Sequence, residues 1–115
     1  MNTIDIKILK HGQVDSITLR GDLVLGDPVD SLQQTINNLA AHGGSQFVLN
    51  LNDVRYMDSS GIGLLVSALT AAKKKGGSLK LVSPSKFVNQ VLKMCQLLPL
   101  FEVYEADEPA IQSFD

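Results

Sequence analysis

A chain of 115 residues, 44% apolar and 19% charged, is long enough for one packed domain and too apolar to stay disordered. Its formal net charge of −2 and pI of about 5.6 exclude the basic surface that nucleic-acid binding requires. A single cysteine, Cys95, excludes an intrachain disulfide and fits a reducing compartment.

Along the chain, Ile4, Ile6 and Ile8 alternate with Asp5 and Lys7, the period of a strand. His11-Gly12-Gln13 reads as a turn. Val14, Ile17 and Leu19, with Thr18 and Arg20, form a second strand ending near Gly21, antiparallel to the first because so few residues join them. Gly26-Asp27-Pro28 then breaks the chain, with Asp27 as N-cap and Pro28 at the first helical position. Val29, Leu32, Ile36 and Leu39 follow at helical spacing, and Gly43-Gly44 stops that helix. Gln46 to Leu51 is a buried strand, and Asn52 to Asp58 a loop carrying Tyr56 and Met57.

Ser59 or Ser60 opens a second helix. Ile62, Leu65, Val66, Leu69 and Ala72 mark its inner face, widened by Leu64 and Ala68. Lys73-Lys74-Lys75 complements the negative end of the helix dipole before Gly76-Gly77 ends it. Leu79, Leu81 and Val82 form another strand. Pro84 starts a third helix with Phe87, Val88, Val91, Leu92 and Cys95 inward. Leu97 to Leu100 leads to a last strand, Phe101 to Tyr104, and Asp107 to Phe114 is a short terminal helix. The order β-β-α-β-α-β-α-β-α predicts a single α/β domain over residues 1–115: a mixed, mostly parallel sheet of about five strands packed with about four helices.

Most candidate chemistry falls away on spacing. His11 and His42 lie in separate turns, and one cysteine without a CxxC or HxxxH pattern leaves no metal site and no cofactor. Ser59 and Ser60 lack the first glycine of a nucleophile elbow, and both histidines precede them, so a hydrolase is not expected. Gly61-Ile62-Gly63 lacks the third glycine of a dinucleotide fingerprint and the lysine of a P-loop. The three lysines read as a solvated helix end, and Cys95 as a buried, inert thiol. Met1 to Asp5 has no signal-peptide pattern. The longest mostly apolar run, Gly61 to Ala72, is short of the ~20 residues that span a bilayer, so a cytoplasmic protein without membrane insertion is expected.

The informative segment is Tyr56-Met57-Asp58-Ser59-Ser60-Gly61-Ile62-Gly63. It joins a strand to a helix N-terminus at the C-terminal side of the sheet, where α/β folds place their sites. Amides of Ser60 to Gly63 at that terminus favour an anion, and the two glycines allow close approach of a partner backbone. Asp58 or Ser59 acting only as an N-cap is the competing explanation. Tyr56, Met57 and Leu64 are expected to form an exposed apolar strip, open to a partner or to a weak dimer.

Asp58-Ser59-Ser60-Gly61-Ile62-Gly63-Leu64-Leu65 resembles the signature of the STAS domain, the anti-sigma factor antagonist family. Gly21-Asp22-Leu23, Val48-Leu49-Asn50-Leu51 with Val54, Gly76-Gly77-Ser78-Leu79-Lys80-Leu81, Phe101-Glu102-Val103-Tyr104 and the Glu108 to Phe114 tail resemble further family elements, so the likeness runs from Thr3 to Phe114. The resemblance implies a non-enzymatic bacterial binding module, monomeric or weakly dimeric. Such a module binds an anti-sigma factor that is also a serine kinase, is released when phosphorylated, and is restored by a serine phosphatase. The acceptor maps to Ser59, with Ser60 as the neighbouring hydroxyl, and the docking surface to Asp58, Ser59, Ser60, Gly61, Ile62, Gly63, Leu64 and Asp22. Val24 stands where many antagonists carry an aspartate. Relatives that act constitutively as accessory subunits of transport systems, and an anion or nucleotide sensor at the same helix end, are the alternatives.

Overall fold

The computed structural model describes residues 3–114. Its elements, in chain order, are β1 (Asp5–His11), β2 (Val14–Arg20), α1 (Asp27–Ala41), β3 (Gln46–Asp53), α2 (Ser59–Lys74), β4 (Ser78–Val82), α3 (Lys86–Met94), a 3₁₀ turn (Leu98–Leu100), β5 (Val103–Tyr104) and α4 (Asp107–Gln112). The strands lie in the order β1-β2-β3-β4-β5, with β1 antiparallel to β2 and every other pair parallel. This is the mixed sheet and element order expected from the sequence, with the 3₁₀ turn added.

A sheet whose strands follow chain order sends successive right-handed crossovers over the same face. Accordingly α1, α2 and α3 share one core with the strands: Leu32 and Ile36 of α1, Leu65 and Leu69 of α2, and Val88 and Leu92 of α3 meet Ile17, Leu19, Phe47, Leu49, Leu51, Leu79 and Leu81. The alternate strand residues Val14, Val48 and Val82 face the other way and are covered by Ala110 of α4.

The diglycine after α2 has two separate jobs. Gly76 adopts φ 84 at the helix end, where its amide bonds to the Lys73 carbonyl and the Gly77 amide to that of Ala72. Gly77 packs against the Ser45 carbonyl so closely that no Cβ fits, which lets β4 enter beside β3.

Four local expectations are corrected. Gly26, not Asp27, holds the N-cap position of α1, so Asp27 and Pro28 lie within its first turn. Pro84 does not start α3; Ser85 caps it, its hydroxyl accepting the Val88 amide at 3.2 Å. Cys95 and Phe87 are exposed rather than inward, because α3 ends at Met94 and only Val88 and Leu92 are fully buried. There the chain reverses through Gln96 (φ 60), with Gln96 bonded to Lys93 and Leu97 to Leu92, so Cys95 is turned outward at the cap. The last strand is shorter than Phe101 to Tyr104: the Phe101 amide is tied to Leu98 in the 3₁₀ turn, leaving Val103 and Tyr104 to pair with Leu81 and Val82.

Candidate functional site

At the C-terminal end of β3 the chain passes through Val54 to Met57 and enters α2. Val54 and Met57 are buried anchors, and Tyr56 is exposed. The segment after β2 runs alongside it: Leu23 pairs with Met57, its amide bonds to the Tyr56 carbonyl at 3.0 Å, and the Asp58 amide bonds to the Leu23 carbonyl at 3.3 Å. Two loops distant in sequence are thereby fixed side by side.

Asp58 is the N-cap of α2. One carboxylate oxygen accepts the amides of Ser60 (3.0 Å) and Gly61 (3.1 Å), and the other accepts the Leu25 amide (2.9 Å). The Leu25 amide, followed by those of Gly61 and Ser60, holds the Asp58 carboxyl below the usual carboxylate range despite some desolvation. Two of these bonds occupy the Ser60 and Gly61 amides of the helix terminus. The amides expected to face outward are taken by Asp58, and the Ile62 amide bonds to the Asp58 carbonyl at 3.1 Å. The anion favoured at this terminus is therefore the protein's own carboxylate, which removes the structural support for an anion or nucleotide sensor.

Ser59, the first residue of α2, is exposed, while Ser60 is half-buried. Gly63, one turn on, is exposed with nothing within 4 Å of a notional Cβ. Ile62 is half-buried between them, and an open groove beside α2 is lined by Ser59, Ile62, Gly63, Val66, Thr70 and Leu97.

Two residues assigned to the docking surface instead belong to the interior. Gly61 is buried, and a Cβ there would lie 2.5 Å from the Leu23 carbonyl oxygen and 2.7 Å from Met57 Cγ. Its missing side chain makes room for the Leu23–Met57 crossing. Leu64 is 4% exposed and Met57 2% exposed, so of the expected strip only Tyr56 reaches the surface. Helical spacing explains Leu64: it points, with Leu65 and Ala68, into the core shared with α3 and the sheet.

Asp22 is half-buried in a cleft with Arg20, Gly21, Asn52, Asp53 and Arg55. Val24 is 8% exposed, so the position where an aspartate was expected faces inward. Leu25 next to it is 74% exposed.

Leu25 and Phe87 were not singled out from the sequence. Phe87 of α3 stacks against Tyr56 with ring centroids 5.2 Å apart, which gives the loop before Ser59 an aromatic flank. Phe87 lies about 100° round α3 from Val88 and about 140° from Leu92, at the margin of the buried face, so helical spacing alone does not separate it from the core. Nothing local marks Leu25, whose tie to Asp58 spans 33 residues. His11 and His42 are exposed and far from this loop in sequence, and no cluster of metal-ligating side chains occurs among the described residues.

Comparison with known proteins agrees with this geometry. The STAS domain model matches residues 6–110. The anti-sigma-B factor antagonist of Bacillus subtilis is 31% identical over 111 residues, 96% of this chain and 92% of that protein. The anti-sigma factor antagonist SpoIIAA in its unphosphorylated form superimposes with a TM-score of 0.83 at 22% identity, covering 95% of each chain. The phosphorylated form of the Bacillus cell fate determinant SpoIIAA superimposes with a TM-score of 0.78, covering 96% of this chain and all of that one. No helix among the described residues is long and apolar enough to cross a membrane. With a family model spanning nearly all of its strands and helices and a full-length relative above 30% identity, the chain belongs to the STAS domain family.

Proposed function

We propose that this protein is an anti-sigma factor antagonist that binds an anti-sigma factor with serine kinase activity and is released when Ser59 is phosphorylated. The observation that carries this reading is Ser59 itself: an exposed hydroxyl on the first residue of α2, on a backbone pinned by the Asp58 cap. The relatives support it, since the B. subtilis protein is named for antagonism of an anti-sigma factor. The docking surface comprises Ser59, Ser60, Ile62 and Gly63, flanked by Leu25, Tyr56 and Phe87, with Asp58 beneath and Asp22 at the margin.

The kinase transfers the terminal phosphoryl group of ATP to Ser59 Oγ, which gives up its proton as ADP leaves. The product carries about −1.5 to −2 charges at pH 7. The Ser60 and Gly61 amides are already committed to Asp58, so the new charge stands beside a carboxylate that holds two of the helix-terminal donors. The domain keeps its fold, and the partner surface that covered a neutral hydroxyl meets repulsion and an uncompensated desolvation cost. A serine phosphatase reverses the mark, and the cycle runs in the cytoplasm with no reaction catalysed by this chain.

The test is calorimetric titration of the cognate anti-sigma kinase with wild type, Ser59→Ala and Ser59→Glu. The expected result is binding by the first two and at least about a 30-fold loss for Ser59→Glu, the equivalent of ~2 kcal/mol for a buried unpaired charge. Equal affinity for all three overturns the proposal.

A further inference from the structure

The sheet ends at β1, whose outer edge pairs with no strand among the described residues. The hairpin closes through the two-residue loop Gly12-Gln13, so His11 and Val14 form a hydrogen-bonded pair. By alternation so do Leu9 and Ser16, Lys7 and Thr18, and Asp5 and Arg20. The backbone groups of Ile4, Ile6, Ile8 and Lys10 therefore point away from the sheet. Open edges are commonly blunted by charge. Here Lys10 is drawn to Asp15 at 3.3 Å, and Ile8 and Leu9 stand 42% and 60% exposed.

We infer that β1 pairs antiparallel with β1 of a second copy of this chain, about a twofold axis through Ile6. In that register Ile6 lies opposite Ile6 of the second copy and Ile4 opposite its Ile8, so the outward backbone groups of these residues exchange their hydrogen bonds. The isoleucines lie on the face that holds Ile17 and Leu19, so the pairing extends the core row across the axis. On the other face Asp5 lies opposite Lys7 of the second copy, twice by symmetry, in the non-hydrogen-bonded pairs where side chains approach most closely. A register centred on Ile8 satisfies the same backbone groups but sets Lys7 against Leu9 and Lys10 against Ile6. Charge complementarity selects the axis at Ile6. So short an edge buries little area, so the dimer is weak and concentration-dependent.

Sedimentation equilibrium of the whole chain tests this with Asp5→Lys, Lys7→Asp and their equimolar mixture. Both positions are exposed, and a melting curve confirms that each variant is folded. Wild type is expected to dimerise, each variant alone to do so about tenfold more weakly, and the mixture to regain wild-type association as a heterodimer. Wild type that stays monomeric up to about 1 mM overturns the inference and leaves the edge to a strand of a different protein. Variants that associate like wild type, or a mixture that does not recover, overturn it as well.

Discussion

Asp58 connects three amides on two segments, and its removal should be felt in both. Asp58→Ala is expected to cost about 1–2 kcal/mol at neutral pH, the usual range for a lost N-cap. Its carboxyl is held below the ordinary aspartate value, so its contribution is fully present above that value and is lost as pH falls through the lower, folded-state value. Thermal melts of wild type and Asp58→Ala should therefore differ at pH 7 and converge in strong acid; a gap that does not change with pH would contradict the assignment. The two glycines of the signature separate in the same way. Gly61→Ala drives a methyl into the Leu23 carbonyl and should destabilise by about 1–3 kcal/mol. Gly63→Ala meets open space on a helix and should stabilise by about 0.5–1 kcal/mol. Denaturant titrations check both signs. A cap at Asp58 or Ser59 was legible in the sequence because both precede an apolar-periodic run, and the structure gives the role to Asp58. That Gly61 serves packing and Gly63 does not was not legible, since the difference depends on Leu23, which the fold brings across from another loop.

Hydrophobic spacing located the helices and strands themselves, but only where the periodicity ran long enough. In α1, with 15 residues, the apolar face was unambiguous, whereas in α2, with 16, Leu64 fitted both the inner face and an exposed strip and proves to be buried. In α3, with nine residues, Phe87 sits at the margin of a short buried face and falls outside it, and the reversal at Gln96 turned Cys95 to the surface. Lys80, in the middle of β4, would ordinarily mark a solvated strand face, yet it is 5% exposed. Its ammonium donates to Ser113 Oγ at 2.7 Å, lies 4.1 Å from the Phe114 ring centroid and sits 3.5 Å from Glu102. These contacts anchor the C-terminal end of the α4 segment, while Asn50 donates to Asp107 at its start (3.1 Å). Lys80→Ala is therefore expected to lower hydrogen-exchange protection in α4 by about tenfold or more, from a loss of ~1.5–3 kcal/mol, and to leave β2 and β3 protected. Uniform loss across the sheet, or no loss in α4, would contradict that anchoring role.

At the scale of the whole molecule, one face of the sheet carries three crossover helices and the other a single short one. Strand–helix alternation made the first arrangement legible. The six-residue α4 has no such pattern, and its side of the sheet is settled by Val14, Val48 and Val82, the strand residues left over once the main core is filled. At the C-terminal end of the sheet the junction of β3 and α2 carries the exposed side chains Tyr56 and Phe87, with exposed Leu25 tied to Asp58 and exposed Ser59 opening the helix. The proposed switch requires that residue to change charge without a change of fold. The most direct measurement is intact mass and phosphosite mapping of the protein recovered from its native cells, beside Ser59→Ala. A single added phosphate on Ser59, absent from the variant, is the predicted result. A protein that carries no phosphate under any growth condition, or carries it only at Ser60, would contradict the switch.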